Sequence, residues 1–293
     1  MVVSHSRNGR LGDLRRVKLH ICWIRNAFEG PTRRKDGGGS LSDQSQGAYA
    51  LVLHEGAVPE TGGIAVCGFS TVGMVGVIAA SHIISSLGLN HLGTVLNTKF
   101  PAIALVHDEV PKHPVRVYQG KQIGVFTSEI QFPAEHDVEF ANTVLDWFIK
   151  GGFERLIIVD GLVRQDQGIS EGGLYGIGAT KEARNRLAEY DIEKIQQGVV
   201  AGIAGHLLSE GDRRGLDITA LLAECNPMYP DARAAALAVE AISDLTELEI
   251  PLSGLLEDAR RIEDSVQDVL QKAQTMLPAP QDSDDDHMDP MIG

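Results

Sequence analysis

The feature that most constrains the fold is an alternation of short apolar segments with longer helical ones, which begins at Tyr49. This order is typical of a β-sheet with helices packed on both faces. Strands are predicted at residues 49–53, 64–69, 94–97, 102–106, 115–118, 123–127, 156–160 and 218–225, and helices at residues 72–87, 137–150, 198–208 and 231–248. We therefore predict a three-layer α/β/α domain over residues 48–250.

The last of these helices has the most readable start in the sequence. Asp231 follows Pro230 and directly precedes an alanine-rich stretch. An aspartate in that position can accept a hydrogen bond from a free N–H of the first helical turn. Asp231 is therefore the predicted N-cap.

Charge is distributed unevenly along the 293 residues. Residues 1–47 hold nine of the 26 basic residues but only four of the 40 acidic ones, so the remainder carries a net charge of −19. Such a charge repels nucleic acid phosphates and anionic membranes, which excludes both as expected partners of the main body. The apolar runs are also shorter than the roughly 18 residues that a membrane span needs, so no membrane segment is expected.

The first 47 residues form a basic, Gly/Ser/Gln-rich leader that could bury little apolar surface. We expect this leader to be disordered or to reflect a misassigned start codon. Cys22, Cys67 and Cys225 are widely spaced and odd in number, so neither a disulfide framework nor a cysteine-rich metal site is indicated. A reducing, cytoplasmic location fits this cysteine usage.

The C-terminal region is predicted to contain a helix over residues 251–277. Its apolar residues recur at spacings of three and four: Leu252, Leu255, Ala259, Ile262, Val266, Val269, Ala273 and Met276. This heptad pattern is typical both of self-association and of docking on the same domain, and it does not choose between them. Residues 278–293 follow as a flexible acidic tail with an apolar tip, Met291, Ile292 and Gly293.

A glycine-rich turn lies between the second strand and the first helix. Gly68, Gly73 and Gly76 could let backbone N–H groups cradle an anion, with Arg116 and Arg164 as the obvious cationic partners. The turn matches neither common nucleotide-binding glycine pattern, however. The packing interpretation is that Gly73, Gly76, Ala79 and Ala80 give the helix a small-residue face for close contact with the sheet.

Catalytic and metal-binding patterns are weak throughout the sequence. Ser70 lacks the G-x-S-x-G context of a nucleophile, Cys67 lies in a predicted buried strand, and Asp160 has no converging partner in the sequence. His82 lies on an apolar helix and is expected to be a hydrogen-bonded core or interface residue. Residues 161–180 are predicted to form a long loop that could bind a ligand or a partner. We expect no catalytic residue, no metal and no cofactor.

Several motifs, in their order and spacing, are similar to those of the proteasome assembly chaperone family, specifically the archaeal homologues of its second eukaryotic member. They span about residues 50–250: residues 68–69 and 73–76, Phe100-Pro101, residues 114–118, Ser128-Glu129, Trp147, Asp160-Gly161 and residues 229–235. The resemblance implies a phosphorylase-like three-layer fold, homo-oligomerisation and a non-catalytic role in assembling proteasome core particles through their α subunits.

The resemblance also gives the tail a possible role. Some members of the family bind the outer proteasome ring through a C-terminal tripeptide of a hydrophobic residue, tyrosine and any residue. Here Met291, Ile292 and Gly293 occupy those positions, and Ile292 lacks the phenolic hydroxyl. The alternative function is a phosphorylase-like enzyme or sensor that binds a small anion or nucleoside at the glycine-rich turn.

Overall fold

The computed structural model describes residues 49–97, 100–107, 109–163 and 172–257. Eleven strands and five α-helices have bounds within these ranges. The strands are β1 (Ala50–Leu53), β2 (Ile64–Phe69), β3 (Asn90–Leu96), β4 (Leu105–His107), β5 (Val110–Lys112), β6 (Val115–Gln119), β7 (Ile123–Ser128), β8 (Arg155–Val163), β9 (Leu174–Gly178), β10 (Glu193–Lys194) and β11 (Ile218–Cys225). The helices are α1 (Val75–Ser86), α2 (Asp137–Lys150), α3 (Lys181–Glu189), α4 (Gly202–Arg214) and α5 (Ala232–Thr246).

Nine strands form one mixed sheet in the order β1-β3-β6-β7-β2-β8-β11-β9-β10. Its centre is parallel, because β2 pairs with β7 and β8, and β8 pairs with β11, all in the parallel sense. β4 and β5 form a separate antiparallel hairpin. The carboxyl ends of the four central strands therefore meet at one edge of the sheet, where open α/β sheets usually hold ligands.

Helices cover both faces of this sheet, as the alternation along β2 shows. Ile64 and Val66 join the core cluster that contains residues of α1 and α5. Phe69, further along β2, packs instead against Phe140 of α2, with ring centroids 5.5 Å apart. α4 packs against α2 and β11. The prediction of a three-layer α/β/α fold is confirmed.

Close contact between α1 and the sheet depends on glycine, as the packing interpretation predicted. A Cβ on Gly76 would lie 2.5 Å from the carbonyl oxygen of Val159, and a Cβ on Gly68 would lie 2.0 Å from that of Gly76. Both separations are far inside van der Waals contact. Ala79 and Ala80 continue the face and are fully buried.

The structure corrects several predicted boundaries. α1 begins at Val75 rather than at residue 72. Residues Val72–Met74 form a separate 3-10 turn, because Gly73 and Met74 adopt φ angles of +60° and +53°, which an α-helix does not allow. α4 begins at Gly202 rather than at residue 198, and it continues to Arg214. The strands predicted at residues 94–97 and 102–106 are instead β3, which starts at Asn90, and the short β4.

The predicted loop over residues 161–180 is wrong in part. Residues 161–163 extend β8, and Leu174–Gly178 form β9, which pairs antiparallel with β11. Gly176 lets β9 approach α3, because a Cβ there would lie 2.5 Å from Leu187. α3, β5 and β10 were not predicted.

The start of the C-terminal helix packs on the same chain. Residues 253–257 are helical, and Leu255 is 2% exposed within the core cluster of α1 and α5, beside the partly buried Leu252. The leader and the tail lie outside the described residues, as do the remaining predicted seam residues: Ala259, Ile262, Val266, Val269, Ala273 and Met276.

Asp231 caps α5 as predicted, since its Oδ1 accepts from the Ala234 N–H at 3.0 Å and its Oδ2 accepts from the Asn226 N–H at 3.0 Å. Replacing Asp231 by alanine is expected to destabilise the fold by about 1–2 kcal/mol, because both N–H groups lose their acceptor. Urea unfolding of the two proteins measures this difference. Asp231→Asn keeps one acceptor oxygen and should lose less; equal losses for both variants would contradict the capping role.

Candidate functional site

The cleft at the carboxyl ends of β2 and β8 is the best candidate site in the described part of the chain. It has a volume of about 280 Å³. The turn after β2 supplies Ser70 and Thr71, β8 supplies Asp160, and the first residue of α2 supplies Asp137. Residues 130–132, which precede α2, and residues 201–204, at the start of α4, also line it, so five segments that are separate in sequence converge on one space.

Asp160 links the two central strands at the base of this cleft. The Thr71 hydroxyl donates a hydrogen bond to Asp160 Oδ1, and the Gly161 N–H donates to the same oxygen at 2.7 Å. Burial raises the pKa of Asp160 above its ordinary value, although both hydrogen bonds lower it. Its other oxygen, Oδ2, accepts no hydrogen bond from the described residues.

Asp137, the first residue of α2, lines the cleft beside the start of α4. Its Oδ2 lies 3.6 Å from the position that a Cβ on Gly202 would occupy. Neither α2 nor α4 has a side-chain cap on its first turn. Burial raises the pKa of Asp137, while nearby His136 opposes the shift. The carboxylate thus faces the positive end of the α4 dipole.

Ser70 places a hydroxyl on the wall of this cleft. It is 9% exposed, and its backbone N–H donates to the Ser128 carbonyl at 3.0 Å. Its hydroxyl has no hydrogen-bond partner among the described residues. The Ser70 oxygen is not among the buried unsatisfied side-chain atoms of the described residues, so it is open to solvent in the cleft.

The predicted ligand residues do not all meet at this cleft. Gly68 and Gly76 hold α1 against β2, and a Cβ on Gly73 would lie 2.7 Å from Cys225 Sγ, so the turn is tightly packed beside the cleft. Arg116 belongs to a different cluster, and Arg164 lies outside the described residues. The cleft lining contains no basic side chain in the part of the chain described.

Arg116 is buried in the cluster that joins the β4–β5 hairpin to the sheet. Its guanidinium donates to Glu129, to the Tyr118 hydroxyl at 2.9 Å and to the His113 carbonyl at 2.7 Å. His107 of β4 contacts the other oxygen of Glu129 at 2.9 Å. All three donor directions of Arg116 are therefore used within the chain.

Cys67 and His82, which were considered as functional residues in the sequence, serve packing and hydrogen bonding within the fold. Cys67 is fully buried, and burial raises the pKa of its thiol well above the ordinary value. His82 donates from Nε2 to the Pro251 carbonyl at 2.7 Å, which ties α1 to the start of the C-terminal helix. The ranges described contain no cluster of three or more His, Cys, Asp or Glu suited to a metal ion. They also contain no helix with the length and apolarity to cross a membrane.

Sequence reasoning missed Asp137 and the start of α4 as cleft residues. Asp137 looked like an ordinary acidic residue in the first turn of α2, and residues 201–204 were assigned to a helix interior. The available signal was positional: α2 was predicted to start at residue 137, after a strand that ends at the same sheet edge. The predicted tail residues Met291, Ile292 and Gly293 lie outside the described part of the chain.

Asp160→Asn is expected to stabilise the fold progressively as pH rises from about 4 to about 7. The raised folded-state pKa means that ionisation of Asp160 costs stability above its unfolded value of 3.8, and asparagine does not ionise. Urea unfolding of both proteins at the two pH values gives the comparison. Asp146→Asn, at an exposed carboxylate paired with Lys150, is the control and should show little trend. A difference between Asp160→Asn and wild type that stays constant with pH would contradict the burial of this carboxyl.

Comparisons with known proteins extend over most of the chain. The sequence model of the PAC2 family matches residues 65–270. An uncharacterized protein of Methanocaldococcus jannaschii is 26% identical over 214 residues, which cover 73% of this chain and 88% of that protein. Pyrococcus furiosus PbaA, described as an archaeal homolog of proteasome-assembly chaperone, is 28% identical with a TM-score of 0.71 over 78% of this chain and 94% of PbaA. Pyrococcus furiosus PbaB, described as an archaeal proteasome activator, shares the fold at 23% identity, with a TM-score of 0.66 over 76% of this chain and 98% of PbaB.

Proposed function

The chain belongs to the PAC2 family, and we propose that it is a non-catalytic assembly chaperone or adaptor of the proteasome core particle, acting in the cytoplasm. The observation that carries this proposal is the similarity to PbaA, at 28% identity over 94% of that protein. A chaperone-type role follows from this homology, and the α subunits are the proposed partners.

The non-catalytic part of the proposal is supported by the chemistry of the cleft. Ser70 is the nucleophile type present, but the described lining contains no histidine or lysine that could act as its base. Asp160 already accepts two hydrogen bonds through Oδ1. The described lining therefore lacks a serine activated by histidine or lysine.

A protein-binding role is supported by apolar side chains around the β4–β5 hairpin. Val106 is 68% exposed and Val110 is 51% exposed on the paired strands, with Ile103 and Leu96 exposed nearby along the chain. Val106 lies opposite Pro111 and Val110 lies opposite His107, so the two valines project from opposite faces of the hairpin and each face exposes apolar surface. We assign this hairpin to contacts with a partner or with a second copy of the chain.

The C-terminal tripeptide is the second proposed contact. Met291 and Ile292 could enter an apolar pocket on the α ring while the terminal carboxylate of Gly293 binds a basic residue or backbone N–H groups. Two such side chains contribute about 3–5 kcal/mol before ordering costs. Leu252 and Leu255 pack on the chain's own core, so Ile262, Val266 and Val269 are the candidate contributors to self-association, which would present several tails and raise avidity.

Removing residues 291–293 is expected to abolish or strongly weaken the complex with proteasome α subunits of the same organism. Native mass spectrometry of the mixture measures it, and the mass of the chain alone, against 31.6 kDa for one copy, reports self-association. The matched control is a chain of full length with Asp289→Asn, which keeps the tip. Binding that survives truncation would move the contact to the hairpin, and absence of binding by both forms would contradict the proposed function.

A further inference from the structure

A pair of histidines ties the end of the edge strand β1 to its neighbour β3. His54 directly follows β1, and its Nε2 lies 3.0 Å from Nδ1 of His91 in β3, with the two ring centroids 4.1 Å apart. Among the strands described, β1 is paired with β3 alone. The contact therefore lies at an edge of the sheet, where a strand is held by a single neighbour.

The Gly93 carbonyl assigns the hydrogens of this pair. His91 Nε2 lies 3.1 Å from that oxygen, which can only accept, so Nε2 carries a hydrogen even though His54 Nε2 is also 3.3 Å away. Nδ1 of a neutral His91 is then an acceptor, and the His54 Nε2–H donates to it. When both rings are protonated, each facing nitrogen carries a hydrogen, and two cations repel each other where the bond was.

Further cations lie on the other side of His91. Its ring stacks on Tyr118, with centroids 4.9 Å apart and planes 24° apart, and the Arg116 guanidinium donates to the Tyr118 hydroxyl at 2.9 Å. Arg116 and Lys112 of β5 both disfavour a proton on His91. Glu60 is the acidic residue in the described lining of the cavity of about 230 Å³ beside His91, but it is exposed, so water screens its attraction.

These surroundings make the contact sensitive to acid. Partial burial holds the pKa of His91 at about 4, below its ordinary 6.5, and the charges of His54, Arg116 and Lys112 act in the same direction, while the hydrogen bond to Gly93 opposes them. A detached imidazole regains its ordinary pKa, so the attached form binds fewer protons below about pH 6.5. Attachment is therefore fully favoured above that pH and weakens as the pH falls toward about 4.

The segment that follows β1 has few other ties to the sheet. The backbone N–H of His54 donates to the Leu92 carbonyl at 3.0 Å, and the Gln119 side chain donates to the Glu60 carbonyl. Val58, which lies between these two hydrogen bonds, is 81% exposed and adds little buried apolar surface. Loss of the histidine contact therefore frees a segment that packing holds only weakly.

We propose that the His54–His91 contact is an acid-sensitive latch on the edge of the sheet. At neutral pH it holds the end of β1 and residues 54–60 against β3, and protonation of both rings opens it. Opening uncovers the backbone of β3 beside Gly93, and an uncovered strand edge is able to pair with an extended segment of another chain. The latch goes beyond the assembly role, and its test needs no proteasome subunit.

Hydrogen exchange of the full chain at about pH 7.5 and about pH 5, with labelling times scaled for the intrinsic pH dependence of amide exchange, tests the latch. Peptides covering residues 50–57 should lose protection roughly tenfold at the lower pH relative to β11. His91→Phe keeps an aromatic ring beside Tyr118 but does not titrate, so its loss should match that of β11. His206→Gln, at a histidine of α4 that contacts Asn142, is the matched control and should respond as wild type does.

A magnetic resonance titration of the histidine rings gives an independent reading. The His91 ring should titrate near pH 4, and His54→Gln should raise its pKa, because one source of repulsion is gone. Three results would overturn the proposal: equal relative protection of residues 50–57 at both pH values, a loss in His91→Phe as large as in wild type, or a His91 ring that titrates at its ordinary 6.5. Circular dichroism at neutral pH confirms folding, and His54→Gln, with a smaller loss than wild type, carries the test if His91→Phe does not fold.

Discussion

Replacing Gly68 by alanine is expected to destabilise the protein by roughly 3 kcal/mol or more, a large fraction of the 5–15 kcal/mol typical of a folded domain. The new Cβ would lie 2.0 Å from the Gly76 carbonyl oxygen and 2.8 Å from the Ala80 Cβ. Both belong to α1, whose Val75, Ala79 and Ile83 are fully buried. Relief of the clash requires α1 to move away from the sheet and expose part of that core.

Thermal unfolding measures this effect, with a fall in Tm of at least about 6 °C expected for a domain of this size. The matched control is Gly254→Ala, because a Cβ at that position would meet no atom within 4 Å. That control should be neutral or slightly stabilising, since alanine favours helix over glycine. An unchanged Tm for Gly68→Ala would contradict the close contact between α1 and β2.

Replacing Arg116 by methionine is expected to cost about 3 kcal/mol. The side chain of Arg116 is 5% exposed and that of Glu129 is 17% exposed, so the substitution leaves a carboxylate largely out of water without its cation. The Tyr118 hydroxyl and the His113 carbonyl lose a donor in the same step. Urea unfolding gives the difference in the free energy of unfolding.

The double variant Arg116→Met with Glu129→Gln separates the cost of the unpaired Glu129 charge from the cost of losing the Arg116 side chain. It should recover part of the loss, because the unpaired charge is gone. Lys150→Met, which breaks an exposed pair with Asp146 on α2, is the control and should change stability little. A loss for Arg116→Met no larger than that for Lys150→Met would show that the buried pair is not holding the β4–β5 hairpin.

Much of the fold could be predicted from local patterns. Helix Asp137–Lys150 and strand Ile218–Cys225 have the predicted bounds, because their apolar spacing and flanking residues are unambiguous. β9 could not be predicted, since Leu174–Gly178 contains two glycines and gains its structure from pairing with β11 and packing on Leu187. Tertiary contacts outweighed local propensity there.

The cleft was less accessible to sequence reasoning than the fold. Thr71 and Asp160, which share a hydrogen bond, lie 89 residues apart, and neither stands in a recognised catalytic or ligand-binding motif. The glycine-rich turn was identified, but Arg116 was assigned to it although its donors are used by Glu129, Tyr118 and His113. Proximity of distant polar groups depends on the strand order, which the sequence pattern alone did not specify.

The central claim is that this chain assists proteasome assembly, and an assembly-rate measurement tests it most directly. Separated α and β subunits from the same organism are mixed with and without the chain, and core particles are followed over time on native gels. We predict faster formation of core particles and recovery of the chain in an α-subunit intermediate. An unchanged rate, with the chain absent from every intermediate, would contradict the claim.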